Sequence, residues 1–198
     1  MSPTTLPSKN TPKEFSPKTF IIWLFIVGST MLFLAFCSAY FVHQGDGIRN
    51  NAWLKFDLPF AFWVSAGIVI LSGIFMQLAY RAAQRDDIYR IPSLLTITLL
   101  CGIAFCISQV YGWFDLIDRG LFFSNKEPAE ISASFVYVIS AAHLVHIIGG
   151  LVLLTVGIVR ASRLQIHKKN IVFINICKTY WHFLGILWIM LLLFLYFA

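Results

Sequence analysis

Five stretches of nearly unbroken apolar residues, separated by short polar connections, run through the chain at about 19–43, 57–80, 91–114, 131–159 and 174–197. Each reaches the ~20 residues that a helix needs to cross the hydrocarbon core of a bilayer. The pattern therefore predicts an all-α, polytopic membrane protein: one bundle of five transmembrane helices over 19–198. Composition agrees. Hydrophobic residues make up 59% of the chain and charged residues 12%, about half the charged share usual in a soluble domain.

Residues 1–18 carry Pro3, Pro7, Pro12 and Pro17 among Ser, Thr and Lys and are expected to form a flexible tail. The apolar run after them lacks a small-residue cleavage pattern and is long enough to span, so it reads as an uncleaved signal anchor. The net charge of +6 is unevenly placed. The tail and the loops around 81–90 and 160–178 hold eleven basic residues against three acidic, the other side four against six. By the positive-inside rule the N-terminus is then cytoplasmic and the C-terminus external. The charge is thus explained by topology and attraction to anionic lipid, with no nucleic-acid partner. Arg160, Arg163 and Lys178 are candidate lipid headgroup contacts. Cys37, Cys101, Cys106 and Cys177 lie in or beside apolar runs without CxxC spacing and read as buried apolar thiols.

Polar residues inside the apolar runs narrow the reading. In the first helix, Gly28-Ser29-Thr30 offers a small cluster for close helix approach and bonding across helices. Gly45-Asp46-Gly47 is expected to turn the chain afterwards. Leu58-Pro59 opens the second helix, where Ser65, Gly67, Ser72 and Gly73 form a small-residue stripe. Gln109 in the third helix is expected to bond a neighbouring helix or interfacial water. Asp115 to Glu130 makes an acidic external loop whose Phe122-Phe123 pair is placed to meet the interface or a partner.

Two helices carry the candidate chemistry. His143 and His146, three apart, share a face of the fourth helix. His182 lies in the fifth, inside Tyr180-Trp181-His182-Phe183, with Trp188 following. Tyr180 and Trp181 stand where an aromatic belt forms. Helical rise places His146 and His182 at similar depth. An ionisable ring at that depth must face protein. Neutral histidines bonding between helices and fixing register is the plainest reading. Haem ligation by His146 with His182, or a proton relay, are the alternatives. No carboxylate lies deep in any helix, which removes the commonest mark of an ion pathway and the ligands of a di-iron site.

At these residues the chain resembles subunit III of the haem–copper terminal oxidases, in the short five-helix bacterial form. That family's last-helix motif Y-W-H-F-V-D-x-x-W is followed from Tyr180 to Trp188 except at Leu184 and Gly185. Its H-G-x-H-x-x-x-G appears as His143, His146 and Gly150, with Gly149 beside it. Its W-L-F-x-x-S-E-x-M-F-F is matched by Trp23-Leu24-Phe25, Met31 and Phe33. Its L-L-G-x-x-F-x-x-x-Q-x-x-E-W is matched by Gly102, Phe105, Gln109 and Trp113. The departures share one theme: where the family has acids, this chain has Ser29, Gly112 and Gly185.

The resemblance implies a non-redox subunit of a proton-pumping oxidase in aerobic respiration, with no active site and no metal of its own. Haem and copper would reside in partner subunits, and phospholipid would be bound. Subunit I would be the main contact, with subunits II and IV and a larger respiratory supercomplex as further partners, all in the bacterial cytoplasmic membrane. Trp23, Gln109, Trp113, His143, His146, Gly149, Tyr180, Trp181, His182 and Trp188 would be structural signature residues, with Ser29 standing at an acid's position. Three readings compete: an accessory subunit of nitric oxide reductases from the same family, a histidine-ligated haem protein or quinol oxidoreductase, and a small transporter. The last is disfavoured by the missing deep charges and inverted repeat.

Overall fold

The computed structural model describes residues 17–49, 58–121, 123, 128–166 and 170–197. Most of the N-terminal tail, together with Phe122, Lys168 and Lys169, lies outside them. Five helices follow in order: α1 (Pro17–Arg49), α2 (Phe60–Gln84), α3 (Arg90–Asp118), α4 (Pro128–Ser162) and α5 (Val172–Phe197). All five are long and apolar enough to cross a membrane, and no strand occurs among the described residues. The architecture is that of an all-α polytopic membrane protein.

Helix ends run past the apolar cores, because polar flanks extend a helix beyond the hydrocarbon at no desolvation cost. α1 continues through Gly45-Asp46-Gly47 to Arg49, so the expected turn there is not made. Glycine weakens a helix by about 1 kcal/mol but leaves its hydrogen-bond ladder intact, whereas proline removes a donor. Proline acts as expected at Pro59, the residue before α2, whose carbonyl accepts from Phe62 N at 3.0 Å. The C-terminus of α3 closes on Gly120 at φ +79°, with Leu121 N bonded to Leu116 O at 3.0 Å. That is the left-handed glycine cap that satisfies the last carbonyls.

α2, α3, α4 and α5 form a closed ring in that order, each touching its two neighbours, and α1 packs outside against α4 and α5. The buried positions explain why. They fall at 62, 65, 69, 72, 76 and 79 on α2, at 91, 95, 98, 102, 105, 109, 112 and 116 on α3, and at 136, 140, 143, 147, 150, 154, 157 and 161 on α4. On α5 they include 174, 177, 181, 184, 188, 191 and 195. Alternating steps of three and four are the seam of a left-handed bundle. Small or polar residues occupy many of these positions: Ser65, Ser72, Thr98, Gly102, Gln109, Gly112, Ser140, His143, Gly150 and Gly157. In lipid, where apolar burial contributes little between helices, close packing and interhelical hydrogen bonds hold such a seam.

Candidate functional site

Trp181 and Trp188, two turns apart on α5, build the centre of the bundle. Trp181 Nε1 donates to Ser72 Oγ at 2.6 Å, and Trp188 Nε1 donates to Ser65 Oγ at 3.0 Å. The serines are seven apart on α2, as the tryptophans are on antiparallel α5. One heptad thus registers the two helices twice. Indole N–H groups normally find partners when buried, and here the partners are the small hydroxyls of the seam.

The upper and lower layers differ in what surrounds the ring. Trp181 fills a slot walled by two glycines. A Cβ at Gly102 would stand 2.8 Å from Trp181 Cη2, and one at Gly150 would stand 3.0 Å from Trp181 Cζ3. The ring therefore reaches α3 across the bundle, although the backbones of α3 and α5 do not approach one another. Trp188 stacks on His143 (ring centroids 5.2 Å apart, planes at 23°) and meets Phe62 and Phe105 edge-on. Ser65 Oγ also accepts from Gln109 Nε2 at 2.9 Å, so α2, α3 and α5 share one hydroxyl. Trp113 Nε1 donates to Ser140 Oγ at 2.9 Å and ties α3 to α4.

The three intramembrane histidines do not form one centre. His143 and His146 do share a face, and Phe33 of α1 meets both rings, at 6.2 and 5.3 Å. His146 Nδ1 lies 2.8 Å from Ala142 O of its own helix, with Phe25 on its other side. His182 instead turns to α2, its Nδ1 facing Gly73 and its Nε2 3.4 Å from Gln77 Oε1. His146 and His182 thus address different helices and offer no shared ligand site. Among the described residues no group of three metal-ligating side chains occurs.

The remaining sequence candidates divide between interior and surface. Tyr180 and Trp181 are buried rather than belted at the interface, because Tyr180 Oη donates to His146 O at 3.0 Å while the indole turns to Ser72. Gly149 lies beside that hydroxyl, and Ser29 is buried on α1. Thr30 spends its hydroxyl on Ile26 O of its own helix, and Gly28 has open space around it, so the α1 cluster makes no close approach at Gly28. Trp23 is 51% exposed on the outer face of α1. Arg160 lies 4.2 Å over the ring of Phe173, Lys178 3.8 Å over that of Tyr80, and Arg163 is exposed. Sequence reasoning did not single out Ser65, Ser72 and Ser140 as partners of the tryptophans. The seven-residue spacing common to Ser65 and Ser72 and to Trp181 and Trp188 was the available signal for two of these pairs, and Ser140 carried none.

His143 is fully buried with neither ring nitrogen hydrogen-bonded. An unpaired buried polar group costs about 1–3 kcal/mol, while ring stacking returns about 0.5–1.5 kcal/mol. His143→Leu, close in volume, is therefore expected to keep stability within about 1.5 kcal/mol of the parent in detergent unfolding. A loss of about 3 kcal/mol would show that the imidazole has a partner in the assembled protein.

No family model matches the chain. Curated relatives do. It is 25% identical to cytochrome c oxidase subunit 3 of Corynebacterium diphtheriae, covering 99% of this chain and 94% of the relative. It is 28% identical to probable cytochrome c oxidase subunit 3 of Nocardia farcinica over 96% of this chain and 91% of that one. It is 26% identical to cytochrome bo(3) ubiquinol oxidase subunit 3 of Buchnera aphidicola over 90% and 85%. The resemblance carried by the helix motifs thus extends over nearly the whole chain, to proteins named subunit 3 of both cytochrome c and quinol oxidases.

Proposed function

We propose that this chain is the non-redox subunit III of a proton-pumping haem–copper terminal oxidase in aerobic respiration. In this reading it packs on subunit I, which with subunit II carries haem and copper, and it holds phospholipid and keeps proton uptake normal. The observation that carries the reading is the near full-length similarity to proteins named subunit 3. The geometry is compatible: the indoles of the core serve packing, and the intramembrane histidines do not converge. Relatives of both donor types share this similarity, as expected if electron entry lies in other subunits. The N-terminus is cytoplasmic in this proposal, with Arg160, Arg163 and Lys178 at the lipid headgroups of that leaflet.

Purification in mild detergent through a tag on the N-terminal tail tests the reading. A co-eluting haem–copper subunit I, carrying all the haem, is the expected result. This chain eluting alone with bound haem, or together with a nitric oxide reductase, would overturn it. Within the complex, replacing His146 or His182 by leucine is expected to weaken assembly while leaving the haem spectrum per intact complex unchanged. A lost haem signal in a fully assembled mutant would contradict the structural role.

A further inference from the structure

A second polar feature lies apart from the tryptophan layers, where α2 ends and α3 begins. The turn there is tight: Asp87 N bonds Ala82 O at 3.0 Å, and Asp86 sits at φ 62°. It folds three arginines around a cavity of about 440 Å³, with Arg81 and Arg85 from the end of α2 and Arg90 from the start of α3. Ser93 adds a hydroxyl, and Leu78 and Leu94 complete the lining towards the middle of the helices. One carboxylate, Asp87, lines the same cavity and is engaged by Arg90, Nε to Oδ2 at 3.0 Å. The guanidinium groups of Arg81 and Arg85 have no ion-pair partner among the described residues.

The cavity has a direction. Helical rise puts Leu78 about 9 Å from the end of α2 and Leu94 about 6 Å from the start of α3. These leucines therefore lie at the edge of the hydrocarbon, while the arginines stand in the headgroup layer. A ligand matching this gradient carries an anionic oxygen cluster at one end and hydrocarbon at the other. Arginine forks bind phosphate oxygens in pairs, and the volume falls within the usual range for a small-molecule site.

We infer that the cavity between Arg81, Arg85 and Arg90 is a binding site for the phosphate headgroup of an anionic phospholipid, whose first acyl carbons pass over Leu78 and Leu94. The site rests on the chain's place in a membrane and is independent of which respiratory complex it serves. Arg160, Arg163 and Lys178 take no part in it.

The full chain, purified with whatever partners it retains and placed in phosphatidylcholine nanodiscs doped with phosphatidylglycerol, provides the test, read by native mass spectrometry. Retention of phosphatidylglycerol is expected to fall about tenfold in the Arg81→Gln/Arg85→Gln variant, each juxtamembrane cation adding to the attraction. The Arg81→Lys/Arg85→Lys variant is expected to keep part of it, and Arg119→Gln, on the opposite membrane face, all of it. Unchanged thermal unfolding of the glutamine variant would confirm that the fold is intact. Equal retention by parent and glutamine variant, or equal retention of phosphatidylcholine and phosphatidylglycerol, would overturn the site. Displacement of the lipid by millimolar inorganic phosphate would show that the arginines read free phosphate, and would overturn the lipid assignment. Because subunit identity is read from co-eluting chains and this site from bound lipid, either can fail without the other.

Discussion

Trp181→Ala is expected to destabilise the chain by about 3 kcal/mol and to strip it from its complex during detergent purification. Lipid is as apolar as the bundle interior, so the transfer part of an ordinary core mutation is small here. What remains is the cavity. Removing an indole opens on the order of 100 Å³, and at ~24 cal/mol per Å³ that costs about 2–3 kcal/mol. Gly102 and Gly150 have no side chains to move inward, so any collapse of the slot falls to Leu151 and Leu184, which border the same space. Loss of the bond to Ser72 adds about 0.6 kcal/mol, and at most ~1.7. Trp181→Phe separates the two parts, keeping much of the ring and losing the donor. A double-mutant cycle with Ser72→Ala should return a coupling near the hydrogen-bond value. Additive effects would show that the 2.6 Å contact contributes nothing.

The number and order of helices were legible because a spanning helix announces itself by length alone. Which side of each helix faced inward was not, for a physical reason. Lipid-facing and core-facing positions are both apolar, so the contrast that marks a soluble amphipathic helix is absent. Leu100 and Ile107 face outward while Leu95 and Phe105 face in, and no property of those residue types distinguishes them. The inward seam is marked only by its small and polar members. Ser65, Ser72, Gln109 and Ser140 could be recognised as interior, but their partners could not, since partner choice depends on register between antiparallel helices. Helical rise set His146 and His182 in neighbouring layers of the bundle, in agreement with the bond from Tyr180 to His146 O, whereas direction was not readable: one faces the rings of α1 and the other the glutamine of α2. The family motifs went further than periodicity, because they name the tryptophans that the seam is built around. Trp23 carries the same kind of motif on the exposed side of α1, and the packing within this chain gives it no role.

The positions at which the family's acids are missing lead to the second large effect, at Gly112. A Cβ at this residue would overlap Cε1 of Phe62, with Cδ1 at 2.8 Å, and Phe62 is itself fully buried against Trp188. The ring thus occupies the space that a longer side chain at 112 would need. Gly112→Ala is expected to cost about 1–3 kcal/mol through overpacking. Gly112→Glu is expected to cost more than the alanine variant, because its carboxylate would be forced into the buried space already held by Phe62, enough to prevent accumulation of the folded chain. If Phe62 is the cause, Phe62→Ala should rescue Gly112→Ala, making the pair more stable than the sum of the singles by about 1 kcal/mol or more. Strict additivity in detergent unfolding would mean that the backbone of α3, and not the ring, sets the limit. By contrast Gly185, where a Cβ would stand 3.7 Å from Val69 Cγ2, has room for a side chain, and Gly185→Ala should stabilise the chain by up to about 1 kcal/mol. The two acid-to-glycine positions are therefore not equivalent: at 185 an acid's place remains open, and at 112 the phenyl ring of α2 has closed it.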